Sequence, residues 1–242
     1  MHLATKAIVI NKIRYKEKGL IVKLFTEERG MLSFIIRSAH SKKNKLSALY
    51  QPLTILNIQA LVKENSSLHY IKEARVEDPL NNIHQNPIKL GVSMFVAEIM
   101  YKTLREEEPN PALYHFLTYA LHWLELSQKV TNFPIAFLVN LSTYYGFPPN
   151  PDVKADNSYF DLREGEFVRS KPVIHPEFLS IEKSRYLHLF LGANFDESSS
   201  INMSSEMRKE LLNQMVNYFQ IHLDQLRNIQ SHHVLEETFN EY

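Results

Sequence analysis

The sequence predicts an α+β protein in two parts, a five-stranded antiparallel barrel followed by a mainly helical remainder, and three observations carry that prediction. Apolar residues recur at every second position through the first 78 residues, the period that a pleated strand imposes. From Asp78-Pro79 onward the period lengthens to about 3.6, that of an amphipathic helix. Charge divides at the same place: residues 1–78 hold 14 Lys and Arg against 7 Asp and Glu, and residues 79–242 hold 13 against 20, so a net charge of zero conceals a local +7 and a local −7. The boundary between domains is therefore set at 78/79.

The strands follow in order. Leu3 to Asn11 is the first, and Leu20, Val22 and Leu24 alternate through the second after Gly19. Glu28-Arg29-Gly30 supplies a tight turn into the third, where Leu32, Phe34 and Ile36 mark the core face. A mixed stretch from His40 to Gln51 precedes the fourth, Leu53 to Lys63, and Asn65-Ser66 turns the chain into the fifth, Leu68 to Val76. Five short strands in under eighty residues suit a small closed or partly closed barrel. A dinucleotide-binding α/β fold is excluded, because no Gly-x-Gly-x-x-Gly occurs and no helix-length segment separates the first strands.

The helices announce themselves through their caps. Asn86-Pro87 and Asn110-Pro111 each place a capping side chain before a proline, which lacks only an N–H that has no intrahelical partner. Leu90, Met94, Ala97, Tyr101 and Leu104 form the stripe expected to be buried in the first of these helices, and Leu113, Phe116, Leu117, Ala120, Leu121 and Leu124 form that of the second. Pro134 to Tyr145 is apolar on nearly every side and reads as a central helix, ended by Gly146 and Pro148. Two shorter helices are expected between Pro176 and Phe195, a long one after Ser204, and a final one from His232 to Phe239. The longest linker is expected around Asp78 to Gln85.

Composition narrows the chemistry. With 44% apolar and 22% charged residues, 14 Phe, 12 Tyr and only 6 Gly, the chain folds rather than remaining disordered. The absence of Cys removes disulfides, thiolate metal sites and cysteine nucleophiles. No apolar run reaches membrane-spanning length and no cleavage site follows the first residues, so a soluble, cytoplasmic protein is expected. His-Glu-x-x-His, Gly-x-Ser-x-Gly and phosphate-cradling glycine loops are missing, and neither the pair His115 and His122 nor His232-His233 has a third ligand placed beside it. The reading is of a protein that is not an enzyme, with no cofactor and no metal.

What remains is basic charge on the barrel. Residues 1–63 carry 12 basic against 3 acidic side chains, and Arg37 to Lys45 contains four cations and no carboxylate. Such a field concentrates a polyanion, and a barrel loop offers Lys and Arg to phosphates and an aromatic such as Tyr15 to a base. The expected contact residues are Arg14, Tyr15, Lys16, Lys23, Arg29, Arg37, Lys42, Lys43 and Lys45, while Phe34 alternates with core residues and is read as core. Charge and barrel alone leave three readings open: a DNA-binding protein, an RNA-binding or translation-associated one, and an adaptor whose basic face meets an acidic protein.

Thr5-Lys6-Ala7-Ile8-Val9-Ile10, Arg29 to Ala39 (RGMLSFIIRSA), Leu49-Tyr50-Gln51-Pro52-Leu53 and Tyr144-Tyr145-Gly146-Phe147-Pro148-Pro149 resemble the RecO family of DNA repair and recombination mediators, and the resemblance runs nearly the length of the chain. It implies an N-terminal OB-type barrel, a helical C-terminal partner-binding domain, single-stranded DNA binding and annealing, and assistance in exchanging single-strand-binding protein for RecA together with RecR. It also implies a nucleoid-associated cytoplasmic location, and a site in the helical part for the acidic C-terminal tail of single-strand-binding protein. Lys102, Arg105, Lys129, Arg208 and Arg227 are the expected rim of that site. Many members of the family hold zinc with four cysteines in the loop corresponding to 149–171; this chain has none there, so aromatic packing by Phe147, Tyr159, Phe160, Leu162 and Phe167 is expected instead.

Overall fold

A computed structural model of the chain describes residues 1–16, 19–36, 49–104, 108–150, 157–226, 228–232 and 235. It forms two compact units, Met1–Leu126 and Ser127–Tyr242.

In the first unit, strands β1 (His2–Tyr15), β2 (Gly19–Thr26), β3 (Gly30–Ile36), β4 (Ile55–Leu61) and β5 (His69–Asp78) close into a barrel in the order β1-β2-β3-β5-β4. β1 continues to Tyr15, beyond the expected end at Asn11. The strand pairs with β4 as far as Ile8 and with β2 from Ala7 onward, and a bulge between Val9 and Asn11 shifts the register without ending that pairing, so polar residues past the bulge still belong to the sheet. The neighbours are antiparallel except at one seam, where β3 and β5 run parallel through Phe34 with His69 and Ile35 with Tyr70. A parallel seam is unavoidable, because an odd number of strands cannot alternate direction all the way around a closed ring. Leu20, Val22, Leu24, Leu32, Phe34, Ile36, Leu56 and Ile58 fill the interior, and Phe34 is core, as its alternation required.

Helices α1 (Asn81–Gln85), α2 (Pro87–Thr103) and α3 (Pro111–Leu126) complete this unit. The stretch read as a linker thus holds a short helix. Asn86 caps α2 by accepting from the N–H groups of Ile88 and Lys89, and Asn110 accepts from Leu113 N–H at 2.9 Å. The α2 stripe is a correction: Val92, Phe95, Val96, Ile99, Met100 and Thr103 are buried, whereas Leu90, Met94 and Tyr101 stand exposed. Both faces of this helix are apolar, so periodicity alone had no means of choosing between them. The α3 residues face inward as expected, with Tyr114 against Phe25 of the barrel, while His115 and His122 lie 3.5 Å from Glu27 and 3.4 Å from Asp78.

The second unit is built on α4 (Phe133–Tyr144), whose residues Phe133 to Val139 are all buried. It ends in a Schellman motif: Phe147 N–H donates to Ser142 C=O at 3.1 Å, Gly146 N–H donates to Thr143 C=O at 3.3 Å, and Gly146 has φ +84°. A small sheet in the order β7-β6-β8 follows, from β6 (Tyr159–Asp161), β7 (Glu166–Val168) and β8 (Phe178–Leu179), then α5 (Ile181–Phe190), α6 (Phe195–Ser199) and α7 (Ser205–His222). Only α5 lies wholly within the Pro176 to Phe195 window, because β8 takes its start and α6 begins where it ends. The described part of the loop is packed by aromatic and aliphatic side chains: Phe160, Leu162 and Phe167 are buried, and Phe160 meets Phe167 and Tyr218 at ring distances of 5.0 and 5.6 Å. Among the described residues no group of His, Asp or Glu is arranged to hold a metal ion, and no helix is long and apolar enough to cross a membrane. Residues 151–156 and most of the expected final helix lie outside the described residues.

Candidate nucleic-acid interface

Strand register decides which residues share the outer face of the barrel, since directly paired residues project to the same side of a sheet. Ile13 pairs with Ile21, Ile21 with Ile35 and Ile35 with Tyr70, which makes one continuous row across β1, β2, β3 and β5. Asn11, Lys23 and Ser33 form the row on one flank of it, and Tyr15 with Gly19 the row on the other flank, all on the same face. Every member of these rows is half-buried or exposed, whereas the alternating residues Leu20, Val22, Phe34 and Ile36 are buried.

Three lysine–tyrosine couples stand on or beside this face. Lys16 Nζ lies 5.4 Å from the Tyr15 ring centre, Lys23 Nζ 5.3 Å from that of Tyr101 on α2, and Lys63 Nζ 4.7 Å from that of Tyr70. Each couple offers a cation and an aromatic edge or face within the span of a nucleotide, over a floor of isoleucines. Lys16 holds a left-handed conformation, φ 52°, at the β1–β2 turn. Gly19 closes that turn because a β-carbon there would stand 2.7 Å from the Tyr15 carbonyl oxygen.

The structure gathers some of the expected contact residues and separates others. Tyr15, Lys16 and Lys23 share the face. Arg14 pairs with Leu20 and so projects on the opposite side, at the barrel mouth, where it is exposed. Arg29 lies in the β2–β3 turn, at the far end of β2 from Tyr15. Arg37, Lys42, Lys43 and Lys45 are outside the described residues, although β3 leads into their segment from Ile36, which pairs with Leu20 near the Tyr15 turn. Lys12 pairs with Val22 on the inner side, and burial pulls its pKa below the usual lysine value.

Tyr70, Lys63 and Tyr101 were missed in the sequence. Tyr70 joins Tyr15 only through the parallel β3–β5 seam, and the one signal that could have found it is the parity of a five-strand ring.

The expected rim residues of a partner site are divided between the two units. Lys102, in the first unit, pairs with Glu98 at 3.2 Å one helical turn away. Lys129 is exposed in the second unit. Arg208 donates to Asn132 Oδ1 at 2.8 Å and to Met203 C=O at 3.2 Å, and its burial lowers its pKa, so its guanidinium already serves the packing of that unit. Arg105 and Arg227 are outside the described residues.

A closed five-stranded barrel of this order, bearing an aromatic and cationic outer face and followed by helices, defines an OB-type module joined to a helical one. Residues 1–80 match the family model described as Recombination protein O N terminal, and residues 84–229 that described as Recombination protein O C terminal. The DNA repair protein RecO of Flavobacterium psychrophilum is 36% identical over 242 residues, covering 99% of this chain and 100% of the relative. Those of Christiangramia forsetii, 35% identical with 99% and 100% covered, and Phocaeicola vulgatus, 31% identical with 98% of each covered, are similar along the same length. The chain belongs to the RecO family, whose named members here are DNA repair proteins.

Proposed function

We propose that this protein binds single-stranded DNA on the outer face of its barrel and acts, without catalysing a bond change, as an annealing mediator in DNA repair and recombination. The observation that carries the reading is the row Ile13, Ile21, Ile35 and Tyr70 bordered by Lys16, Lys23 and Lys63. Lysines neutralise phosphates while the apolar and aromatic floor supports bases without reading them, which lowers the repulsion between two strands and leaves sequence choice to base pairing. Residues 1–78 are the DNA-binding domain in this reading and residues 79–242 the partner-binding one.

Family membership supports the finer roles: exchange of single-strand-binding protein for RecA, partnership with RecR, and docking of the acidic tail of single-strand-binding protein, in the cytoplasm beside the nucleoid. The exposed stripe of Leu90, Met94 and Tyr101 on α2 supports a docking surface for an apolar-ended tail. The test is anisotropy of labelled single-stranded DNA, single-stranded RNA and duplex at two salt concentrations, for the wild type and for a Tyr15→Ala, Lys23→Ala, Tyr70→Ala variant. Tight, salt-sensitive binding of single-stranded DNA that the variant loses supports the reading. Equal affinity of wild type and variant refutes it, and weak binding to all three probes leaves the protein-adaptor reading ahead.

A further inference from the structure

A cleft of about 540 Å³ opens in the first unit, where the β4–β5 turn, the β2–β3 turn and the chain start meet. Its size is that of a small-ligand pocket, and its lining is divided. Arg29 and Lys63 supply positive charge, and among the described residues neither has a carboxylate partner; Arg29 Nη2 lies 4.0 Å from Met1 Sδ. Met1, Leu32, Val62 and Pro109 supply an apolar wall, and the lining also holds one carboxylate, Glu64, which leaves the two cations in excess. The wall is held in place: Met1 donates its terminal N–H to Val62 C=O at 2.9 Å, and Lys63 N–H donates to Nδ1 of the buried His69 at 3.2 Å. The turn reverses at Asn65 with φ 59°.

A cavity that pairs two cations with an apolar wall suits a ligand with an anionic end and a flat apolar body. A nucleotide is that ligand, its phosphate meeting the guanidinium and ammonium and its base lying on the wall. Lys63 joins this cleft to the outer face, since its ammonium stands over Tyr70, the last member of the isoleucine row. We propose that the cleft holds one nucleotide of a bound strand, with its phosphate between Arg29 and Lys63 and its base against Met1, Val62 and Pro109, at the end of the path that begins at Tyr15. The inference rests on the proposed binding of DNA to the outer face and adds a mononucleotide subsite, and it gives Arg29 a role although the barrel separates it from Tyr15.

The experiment is a titration of the ¹⁵N-labelled full chain with deoxyadenosine monophosphate, deoxyadenosine and inorganic phosphate, followed by amide shifts. The nucleotide should move the amides of residues 63–69 saturably and those of Tyr15 and Lys23 little. Deoxyadenosine and phosphate should each bind more weakly, and Arg29→Ala should weaken the nucleotide by about tenfold through loss of a charge-assisted phosphate contact. Inorganic phosphate matching the nucleotide, shifts confined to the outer face, or no change in Arg29→Ala would each overturn the subsite. A dT oligomer titrated into the wild type and into Tyr15→Ala, Tyr70→Ala separates the two readings. If the oligomer binds the wild type alone while the cleft amides ignore the nucleotide, the outer face stands and the subsite falls.

Discussion

The carboxylate of Glu125, in the last turn of α3, accepts hydrogen bonds from the backbone N–H groups of Asn82, through Oε1, and Ile83, through Oε2, each at 2.9 Å. It caps α1 from a distance of 43 residues, filling the place left by Leu80, which has no side-chain oxygen to offer. Lys89, a mostly buried lysine, donates to the Glu125 carbonyl at 2.7 Å and ties α2 to the same point. An anion at a helix N-terminus also favours the helix dipole. Glu125→Ala should therefore cost about 1 kcal/mol of local stability, within the range of N-cap losses. Hydrogen exchange at Asn82 and Ile83 should accelerate while the barrel amides keep their protection. Unchanged exchange at both positions would mean that water replaces the carboxylate at no cost.

Gly30 and Gly146 both have positive φ, +67° and +84°, but differ in their surroundings. A β-carbon at Gly146 would meet nothing within 4 Å, whereas at Gly30 it would collide with the backbone of Glu108. Gly146→Ala should cost roughly 1 kcal/mol, the strain of a left-handed alanine. Gly30→Ala adds a backbone collision and should cost clearly more, with the loss read as a lower midpoint in thermal unfolding. Equal midpoints for the two variants would show that the 108 segment yields freely.

The loop that lacks cysteines is held by Tyr218, whose hydroxyl donates to the Phe147 carbonyl at 2.7 Å and whose ring packs on Phe160 and Phe147. Burial raises the Tyr218 pKa, so the phenol stays protonated and able to donate. His175 adds a polar tie, with Nε2 3.2 Å from Asp161 and Nδ1 3.5 Å from Glu177. Tyr218→Phe should lower stability by about 1–2 kcal/mol, because it leaves a carbonyl without its partner. A strong chelator should leave the melting temperature of the wild type unchanged. A chelator-induced collapse would show that this loop depends on a metal.

Lys6 on β1 and Glu77 on β5 pair at 2.7 Å across the outer surface of the barrel. The hydrogen bond from Lys6, with a second from Asn57, pulls the Glu77 pKa below the ordinary glutamate value, and the same pair raises that of Lys6. For the depressed carboxylate, the stabilisation is present above its unfolded-state pKa and is lost as pH falls through its lower folded-state value. For the raised lysine it is present below the unfolded lysine pKa and is lost as pH rises through the folded one. Stability of the wild type relative to Glu77→Gln should accordingly be greatest between these ranges and shrink at both acid and strongly alkaline pH. The difference is small because the pair is exposed. A difference that grows on acidification would contradict the assignment.

The barrel was legible in the sequence because its interior obeys period two: Leu20, Val22, Leu24 and Leu32, Phe34, Ile36 are buried and alternate with half-buried Ile21, Lys23, Ser33 and Ile35, although Phe25 and Met31 near the strand ends are buried too. The α2 stripe was not, since a helix apolar on two faces carries no phase. The proposed nucleic-acid face was legible only in part. Tyr15, Lys16 and Lys23 lie on the first hairpin and are local in sequence, whereas Tyr70 and Lys63 reach them through strand closure and Tyr101 through helix docking. Arg14 falls on the other side of β1 from Tyr15, because a one-residue step along a strand changes its face, and the bulge after Val9 resets the phase.

The proposal for the barrel depends most on whether its charge meets phosphates, and the segment Arg37 to Lys45 provides a test separate from the outer face. Replacing Arg37, Lys42, Lys43 and Lys45 with Ala removes four cations that follow β3 in sequence, and because Lys and Arg are seldom fully buried the fold should be kept. Each phosphate contact on a single strand contributes about 0.7 to the slope of log affinity against log salt, so four full contacts correspond to roughly 3 units of slope. The loss should be similar for unrelated DNA sequences, because phosphates carry no base information. Tyr15→Ala with Tyr70→Ala should behave differently, lowering affinity at every salt concentration by up to 1–3 kcal/mol per lost stacking contact while leaving the slope nearly intact. If the two variants lower affinity with the same change in slope, the division between a phosphate-binding segment and a base-supporting face is wrong. If the folded quadruple variant keeps both wild-type affinity and wild-type slope, the 37–45 segment is not part of the DNA path.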